Sequence, residues 1–325
     1  MTIKFQMGSN FGGEEIETPT SNDGGMIRET LHSIAREYYD WQNAQYPVVS
    51  SDQGLHSWDG KLTDYSPPAL ESRRAHVSEL LNRIKGMKTD RGDKESLIDC
   101  LLFKAQLEAA DFWERMMDFP STDPQTYVSE CSNAIFSLLK KEYAPPEARA
   151  RAAISRLRLM PRLLEQAREN LAKPVRLYAE LACSAARAMG PLFHESLLAI
   201  ARALPASEKH ELAAAREEAL DSLEQFASWL EGRLNSMEPF SPMGDEKYGY
   251  LLSHVYLLPM DWREVESLGK FEVARYRALE AWLPDPKMAD PDPLRCASVP
   301  KGQQEFLEAY ESREAEIIAH LREKK

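Results

Sequence analysis

Residues 207–234 read SEKHELAAAREEALDSLEQFASWLEGRL, and this stretch decides the fold class. Apolar side chains recur every three or four positions along it: Leu212, Ala215, Ala219, Leu223, Phe226, Leu230 and Leu234. On a helix of about 3.6 residues per turn this spacing places them on one face and leaves charged residues on the other. The stretch therefore predicts one long amphipathic α-helix whose apolar face is buried.

The same periodicity extends over most of the chain from Met26 onward. No Asn-Gly hairpin signal and no sustained apolar/polar alternation predicts a strand pair, and no fixed repeat predicts a solenoid. We therefore predict an all-α fold of about ten to eleven helices in an irregular array. Residues 26–325 are expected to form a single helical domain. Residues 1–25, rich in Gly, Ser, Asn and Thr, are expected to form a flexible lead-in.

The composition excludes several classes of protein. The chain has 325 residues, of which 43% are hydrophobic, so a disordered chain is excluded. Its formal net charge is −12, from 40 Lys and Arg against 52 Asp and Glu, which argues against binding to nucleic acid or to anionic membrane surfaces. No apolar run is long enough to span a membrane, and the first residues lack a secretory signal. These features favour a cytoplasmic bacterial-type protein, with reduced and mostly buried cysteines.

Prolines set several of the expected boundaries. Pro161 suits the first turn of a helix, so we predict that one helix ends near Leu159 and that another begins at this proline. Residues 46–68 form the longest irregular stretch, and two interpretations apply to it. It is either an ordered connector held by Trp58 and Tyr65, which its turn-forming residues favour, or part of a functional site.

Metal-binding and nucleophile motifs are absent from the sequence as a whole. A zinc helix needs His-Glu-x-x-His, but His194-Glu195 is followed by Leu198 and His210-Glu211 by Ala214. A di-iron bundle needs two Glu-x-x-His motifs, and Glu29–His32 supplies one. No Gly-x-Ser-x-Gly elbow or phosphate-binding loop occurs. We therefore predict no catalytic residue, no metal ligand and no cofactor within this chain.

Two clusters of side chains allow both a functional and a structural interpretation. Arginines gather around Pro161 and could bind a carboxylate or simply neutralise acidic helices: Arg149, Arg151, Arg156, Arg158 and Arg162. Tyr248, Tyr250 and His254 follow Gly244, and the last two share a helix face at i, i+4. Their phenol and imidazole groups could donate to an oxyanion in a cleft, or the rings could form a packing seam, which we favour.

Short motifs along the chain follow a characteristic order: Tyr46-Pro47, Gly60-Lys-Leu-Thr-Asp64-Tyr-Ser66, Asp123-Pro124, Arg156-Leu-Arg-Leu-Met-Pro161, Ala167-Arg-Glu-Asn-Leu171 and Met243-Gly-Asp-Glu-Lys-Tyr248. From about Arg28 onward, they resemble the N-terminal half of the bacterial family called domain of unknown function 885. The resemblance implies an all-helical, zincin-like metallopeptidase fold, akin to the helical carboxypeptidase and angiotensin-converting-enzyme group.

The resemblance also implies where zinc would bind. The family's presumed metal site is a His-Glu motif followed by Pro-Gly-His in the C-terminal half, and nothing in this sequence matches it. Zinc is then expected only with a complementary half. The matched positions, Asp64, Tyr65, Arg156, Arg158 and Tyr248, carry over only as residues of a cleft wall or of the structural framework.

Three hypotheses follow for function. The chain is the helical N-terminal part of a zinc metallopeptidase-like protein, with a complementary half as partner, or it is a non-catalytic helical binding or scaffold protein for a peptide-like ligand. The third is an unrelated enzyme built from residues 46–68 and the 248–254 face. The substrate-cleft candidates are Asp64, Tyr65, Tyr248, Tyr250 and His254. The last helix, residues 301–325, has an apolar stripe that needs a partner surface.

Overall fold

The computed structural model describes residues 23–87, 94–282 and 302–323. Contacts group the chain into two compact units, Met1–Trp262 and Arg263–Lys325, called here the larger and the smaller unit. The predicted lead-in lies outside the described residues, apart from residues 23–25, which begin the first helix. The single domain expected over residues 26–325 stays a prediction.

The described residues are almost entirely helical, which confirms the all-α prediction. The α-helices are α1 Asp23–Gln45, α2 Pro47–Asp52, α3 Pro67–Lys85, α4 Lys94–Asp111, α5 Phe119–Thr122, α6 Gln125–Leu139, α7 Pro146–Asn170, α8 Arg176–Ala201, α9 Ala206–Glu231, α10 Gly244–Tyr250, α11 Trp262–Trp282 and α12 Gln303–Glu323. Setting aside the four-residue α5, eleven helices are described, in line with the ten to eleven expected. The described residues contain no β-sheet, and Val175 and Glu238 form an isolated β-bridge.

Two of the helices continue as π-helices. The first π-helix, Phe112–Met116, extends α4, and the second, Leu251–Val255, extends α10. Such segments are rare and widen the turn by one residue, so they change which side chains share a face. Lys247 ties the two regions together by donating from Nζ to the carbonyl of Met116 at 2.8 Å.

The larger unit has two hydrophobic cores. The first is built by α1, α3 and α4, with Leu31, Tyr38, Leu80 and Leu107 at its centre. The second is built mainly by α6, α7, α8 and α9, and α7 packs against both α8 and α9. The apolar face predicted for residues 207–234 lies in this second core, where Phe226 is fully buried. The described helices of the chain include none with the length and apolar character needed to cross a bilayer.

The prediction that a helix ends near Leu159 is wrong. α7 runs from Pro146 through Pro161 to Asn170 without a break. Proline removes one hydrogen bond inside a helix, which normally disfavours that position. Here the apolar side chains on both sides of Pro161, including Leu157 and Leu164, are fully buried in the second core. Burial along the whole face outweighs the local cost of the proline.

The smaller unit differs from the larger one in burial, because none of its described residues is buried. In α11 and α12 the large apolar side chains are exposed: Leu268, Phe271, Val273, Tyr276, Leu279, Trp282, Phe306, Leu307, Tyr310, Ile317, Ile318 and Leu321. The stripe predicted for the last helix is therefore present, and in this structure it faces solvent.

Candidate functional site

Residues 46–68 are ordered and fixed to the second core. They form α2 and a 3₁₀ turn at His56–Trp58 before an extended segment that ends at α3. Arg156 of α7 is fully buried and holds this stretch in place. Its five N–H groups donate to the carbonyls of Pro47, Lys61 and Ala134 and to the hydroxyls of Ser51 and Ser137. Burial lowers the pKa of Arg156 to about 10, although nearby acidic groups such as Asp59 oppose this shift.

Asp64 lies at the end of this connector and is exposed. Its Oδ1 accepts hydrogen bonds from the amide of Ser66 at 2.9 Å and from Nε2 of Gln166 at 2.7 Å. Partial burial raises the pKa of Asp64, but these hydrogen bonds and the Arg162 charge outweigh it and lower the pKa below its ordinary value. Asp64 lines a small cavity of about 100 Å³ beside Arg162.

Tyr65 is buried next to Asp64 but faces a different cavity. Its amide donates to Oε1 of Gln166 and its carbonyl accepts from Nδ2 of Asn170. Its ring packs edge-on against Tyr127, with centroids 5.0 Å apart. Burial raises the pKa of the Tyr65 phenol well above its ordinary value, so this group stays protonated at neutral pH. Tyr65 is therefore held rigidly by its neighbours.

The cavity that Tyr65 lines is called here the aromatic cavity. Its volume is about 670 Å³, and it lies between the two cores of the larger unit. Aromatic side chains from α1, the connector, the first π-helix and α5 contribute a large part of its wall: Tyr38, Tyr39, Trp41, Tyr46, Tyr65, Trp113 and Phe119. Ligand sites in proteins are concave and mostly apolar, with a few placed polar groups, and this cavity matches that description.

Tyr248, Tyr250 and His254 lie on α10 and the second π-helix, and are not among the residues that line the aromatic cavity. Tyr250 stacks on Phe112 with ring centroids 5.9 Å apart and on His254 at 4.3 Å. Burial, together with Glu108 and Asp111, raises the pKa of Tyr250. The arrangement of Tyr250 is that of a packing seam, and the predicted cleft role of the three residues stays a prediction.

Sequence reasoning missed Arg73, whose guanidinium lies over two aromatic rings of the cavity wall. Arg73 of α3 is 1% exposed, and its Nε donates to Oε1 of Glu114 at 3.0 Å. Its Nη1 donates to the carbonyl of Asp64 at 2.7 Å. The sequence did contain a sign of this buried arginine. Arg73 lies at the helical spacing of the apolar residues of α3, between Leu70 and Val77. A charged residue at such a position needs a buried partner.

The arginines around Pro161 do not form one site. Arg149 donates to the carbonyls of Ala144 and Lys141 in the segment between α6 and α7, and Arg156 is the buried clamp described above. Arg151 pairs with Glu208 at 2.9 Å and Arg158 with Glu211 at 3.1 Å. These two ion pairs join α7 to α9. They match the interpretation in which the arginines neutralise acidic helices.

The described residues do not fit a zinc ion. Within residues 23–87, 94–282 and 302–323, no three His, Cys, Asp or Glu side chains are grouped so that they could hold a metal. Cys100, Cys131 and Cys183 are buried free thiols, as expected, and Cys296 lies outside the described residues.

Comparison with known proteins places the chain in a family. A solved structure described as "a putative lipoprotein of unknown function" from Shewanella oneidensis matches with a TM-score of 0.65 and 18% sequence identity. The match covers 80% of this chain and 50% of that one, so this chain spans about half of its length. No curated protein shows significant similarity. The family model described as bacterial protein of unknown function (DUF885) matches residues 47–324, and the chain belongs to that family.

Proposed function

We propose that this chain is the helical N-terminal part of a larger metallopeptidase-like protein whose metal ligands come from a complementary half. The observation that carries the proposal is the exposed apolar surface of α11 and α12, where residues such as Phe271 and Tyr310 are 63% and 59% exposed. Apolar patches of this kind normally contact another protein surface. The match to half of a longer solved chain is consistent with such a surface.

The side chains of the described residues limit the chemistry of this proposal. Since the described residues do not fit zinc, no catalytic step is assigned to them. Asp64, Tyr65, Tyr248, Tyr250 and His254 are proposed as wall residues of a peptide-binding cleft, although Asp64 and Tyr65 line different cavities and the other three line neither. The cytoplasmic location inferred from the sequence belongs to the same proposal.

The test is co-expression with a second polypeptide that carries a His-Glu and a Pro-Gly-His motif, ideally from an adjacent reading frame. We expect a complex on size-exclusion chromatography, with zinc and peptide hydrolysis detected in the complex. Ile317→Asp should abolish the complex, since Ile317 is 59% exposed on α12. Leu198→Asp on α8, at a side chain 57% exposed, is the matched control and should leave the complex intact.

Two results would contradict this proposal. Stoichiometric zinc together with peptide hydrolysis by the isolated chain would show that the metal site lies within it. An equal loss of the complex in Ile317→Asp and Leu198→Asp would show that α12 is not the contact surface.

The second candidate is a non-catalytic helical binding or scaffold protein. It is favoured by the larger unit, whose two cores and buried arginine clamp are complete within residues described here. This hypothesis predicts a stable, monodisperse chain that binds a peptide-like ligand without metal. Isothermal titration with and without a chelator distinguishes it from the first candidate.

A further inference from the structure

Several side chains of the aromatic cavity are held by contacts with one another and with Arg73. The Arg73 guanidinium lies over the rings of Tyr46 and Tyr65, with centroid distances of 5.3 and 5.5 Å. Trp113 stacks on Phe119 at 5.3 Å. The Nε of Arg73 also donates to Glu114. The buried Arg73 therefore contacts both aromatic and polar residues of the wall. A rigid site loses little conformational entropy on binding.

The charge of the cavity is balanced. Glu114 is the one acidic or basic side chain among the described lining residues, and it is already paired with Arg73. The other polar groups of the wall are neutral, among them the amides of Gln42, Gln53 and Gln106. An anion would meet the Glu114 carboxylate, and a cation would compete with Arg73 for the faces of Tyr46 and Tyr65. Both charged classes are therefore disfavoured.

Hydrogen-bond donors reach the cavity from neutral side-chain amides. Gln42, Gln53 and Gln106 line it, and the amide group of each carries N–H donors. An oxygen acceptor on the ligand is therefore the expected partner of these amides. The volume of about 670 Å³ suits a molecule of drug-like size.

We propose that the aromatic cavity binds an uncharged, flat, largely aromatic small molecule that carries an oxygen acceptor. The ligand stacks between the rings of the wall, and its edge bonds to the neutral amides. This site lies wholly within the larger unit. It shares Tyr65 with the proposed peptide cleft, but it needs neither zinc nor a complementary half, so its test can fail while that of the proposed function succeeds.

The probe pair for the test is Nile red and Nile blue. Both share one flat ring system, but Nile red is neutral with a carbonyl oxygen, and Nile blue is a cation without that carbonyl. We expect saturable binding of one Nile red per chain, detected by its fluorescence, and at least about tenfold weaker binding of Nile blue, which corresponds to about 1.4 kcal/mol. Equal affinity for the two dyes, or no saturable binding, would overturn the proposal.

A substitution inside the cavity locates the bound dye. Ala110 lines the cavity from α4, so Ala110→Phe should place a ring inside the cavity and weaken Nile red binding at least about tenfold. Ala185→Phe, at an exposed position of α8, is the matched control and should bind as the parent does. Phe271→Ser removes an apolar side chain from α11 and should also leave the affinity unchanged. Unaltered binding by Ala110→Phe contradicts the assignment.

A second measurement covers the case in which Ala110→Phe fails to fold. Trp41 and Trp113 both line the cavity, so their excited states transfer energy to a dye bound there. The double variant Trp41→Phe/Trp113→Phe keeps both positions aromatic and should retain Nile red, while it loses more tryptophan-to-dye energy transfer than Trp58→Phe/Trp229→Phe, whose positions do not line the cavity. An equal or smaller loss of transfer in the cavity variant would place the dye outside the cavity and overturn the proposal.

Discussion

α9 and α11 have the same kind of amphipathic sequence, but different surroundings. α9 buries its apolar face, with Phe226 at 0% exposure, whereas Phe271 on α11 is 63% exposed. Periodicity tells which face of a helix is apolar, because this depends on the helix geometry alone. It does not tell whether the covering surface belongs to the same chain. The contrast separates a region stabilised by its own core from one whose apolar face is exposed to solvent.

A pair of phenylalanine truncations tests the difference between α9 and α11 most directly. Phe226→Ala should lower the free energy of unfolding by about 3–5 kcal/mol, because it opens a cavity in a packed core. Phe271→Ala should change it by no more than about 0.5 kcal/mol, as for most surface substitutions. Guanidinium denaturation followed by circular dichroism at low protein concentration measures both. A large loss for Phe271→Ala would show that the α11 face is already covered.

A second pair of variants compares two arginines of α7. Arg156→Ala leaves several buried carbonyl and hydroxyl groups without a donor, and should lower the free energy of unfolding by about 2–4 kcal/mol. Arg158, two residues later, has a side chain 55% exposed and pairs with Glu211 at 3.1 Å. Arg158→Ala should cost no more than about 1 kcal/mol. Equal losses in thermal or urea unfolding would contradict the clamp role of Arg156.

The smallest expected effect is a difference in pH dependence. Burial raises the pKa of Glu130 above its ordinary 4.5, so its stabilising contribution is present below pH 4.5 and is lost as the pH rises through the folded-state pKa. Glu130→Gln should therefore gain stability relative to the parent as the pH rises toward neutral. The measurement is the unfolding free energy as a function of pH.

Asp64 supplies the control with the opposite sign. Its folded-state pKa lies below the ordinary 3.8, so its contribution is present above pH 3.8 and is lost as the pH falls through the lowered value. Asp64→Asn should therefore differ most from the parent at neutral pH and least in acid. Slopes of the same sign in Glu130→Gln and Asp64→Asn would contradict these assignments.

The sequence predicted that the fold is helical, but it did not predict every helix boundary correctly. The pattern of residues 207–234 predicted a helix that matches α9 closely, because local periodicity dominates there. The break expected at Pro161 is absent, because burial on both sides of the proline is a property of the fold and not of the local sequence. The ordered connector over residues 46–68 was also foreseen, but its α2 helix was not.

The candidate site was harder to predict because it lies where distant segments meet. Tyr65 was singled out as a candidate, yet the rings beside it in the aromatic cavity come from α1, the first π-helix and α5. The burial of Arg73 and Arg156 could have been predicted, since each lies at the helical spacing of the apolar residues on its helix. Their partners, Glu114 and the connector carbonyls, are set by tertiary packing alone.

The Arg156 clamp also has a consequence for the speed of folding. Its guanidinium joins α7 to carbonyls as far as 109 positions away in the chain, at Pro47. Contacts between such distant residues require a large loop to close, which costs entropy and slows folding. The Arg156 guanidinium loses its hydration when it is buried, and its five hydrogen bonds replace that hydration. We therefore expect it to be buried only after α2, α6 and α7 have docked. We expect the connector to lock late in folding, after the helices that it joins.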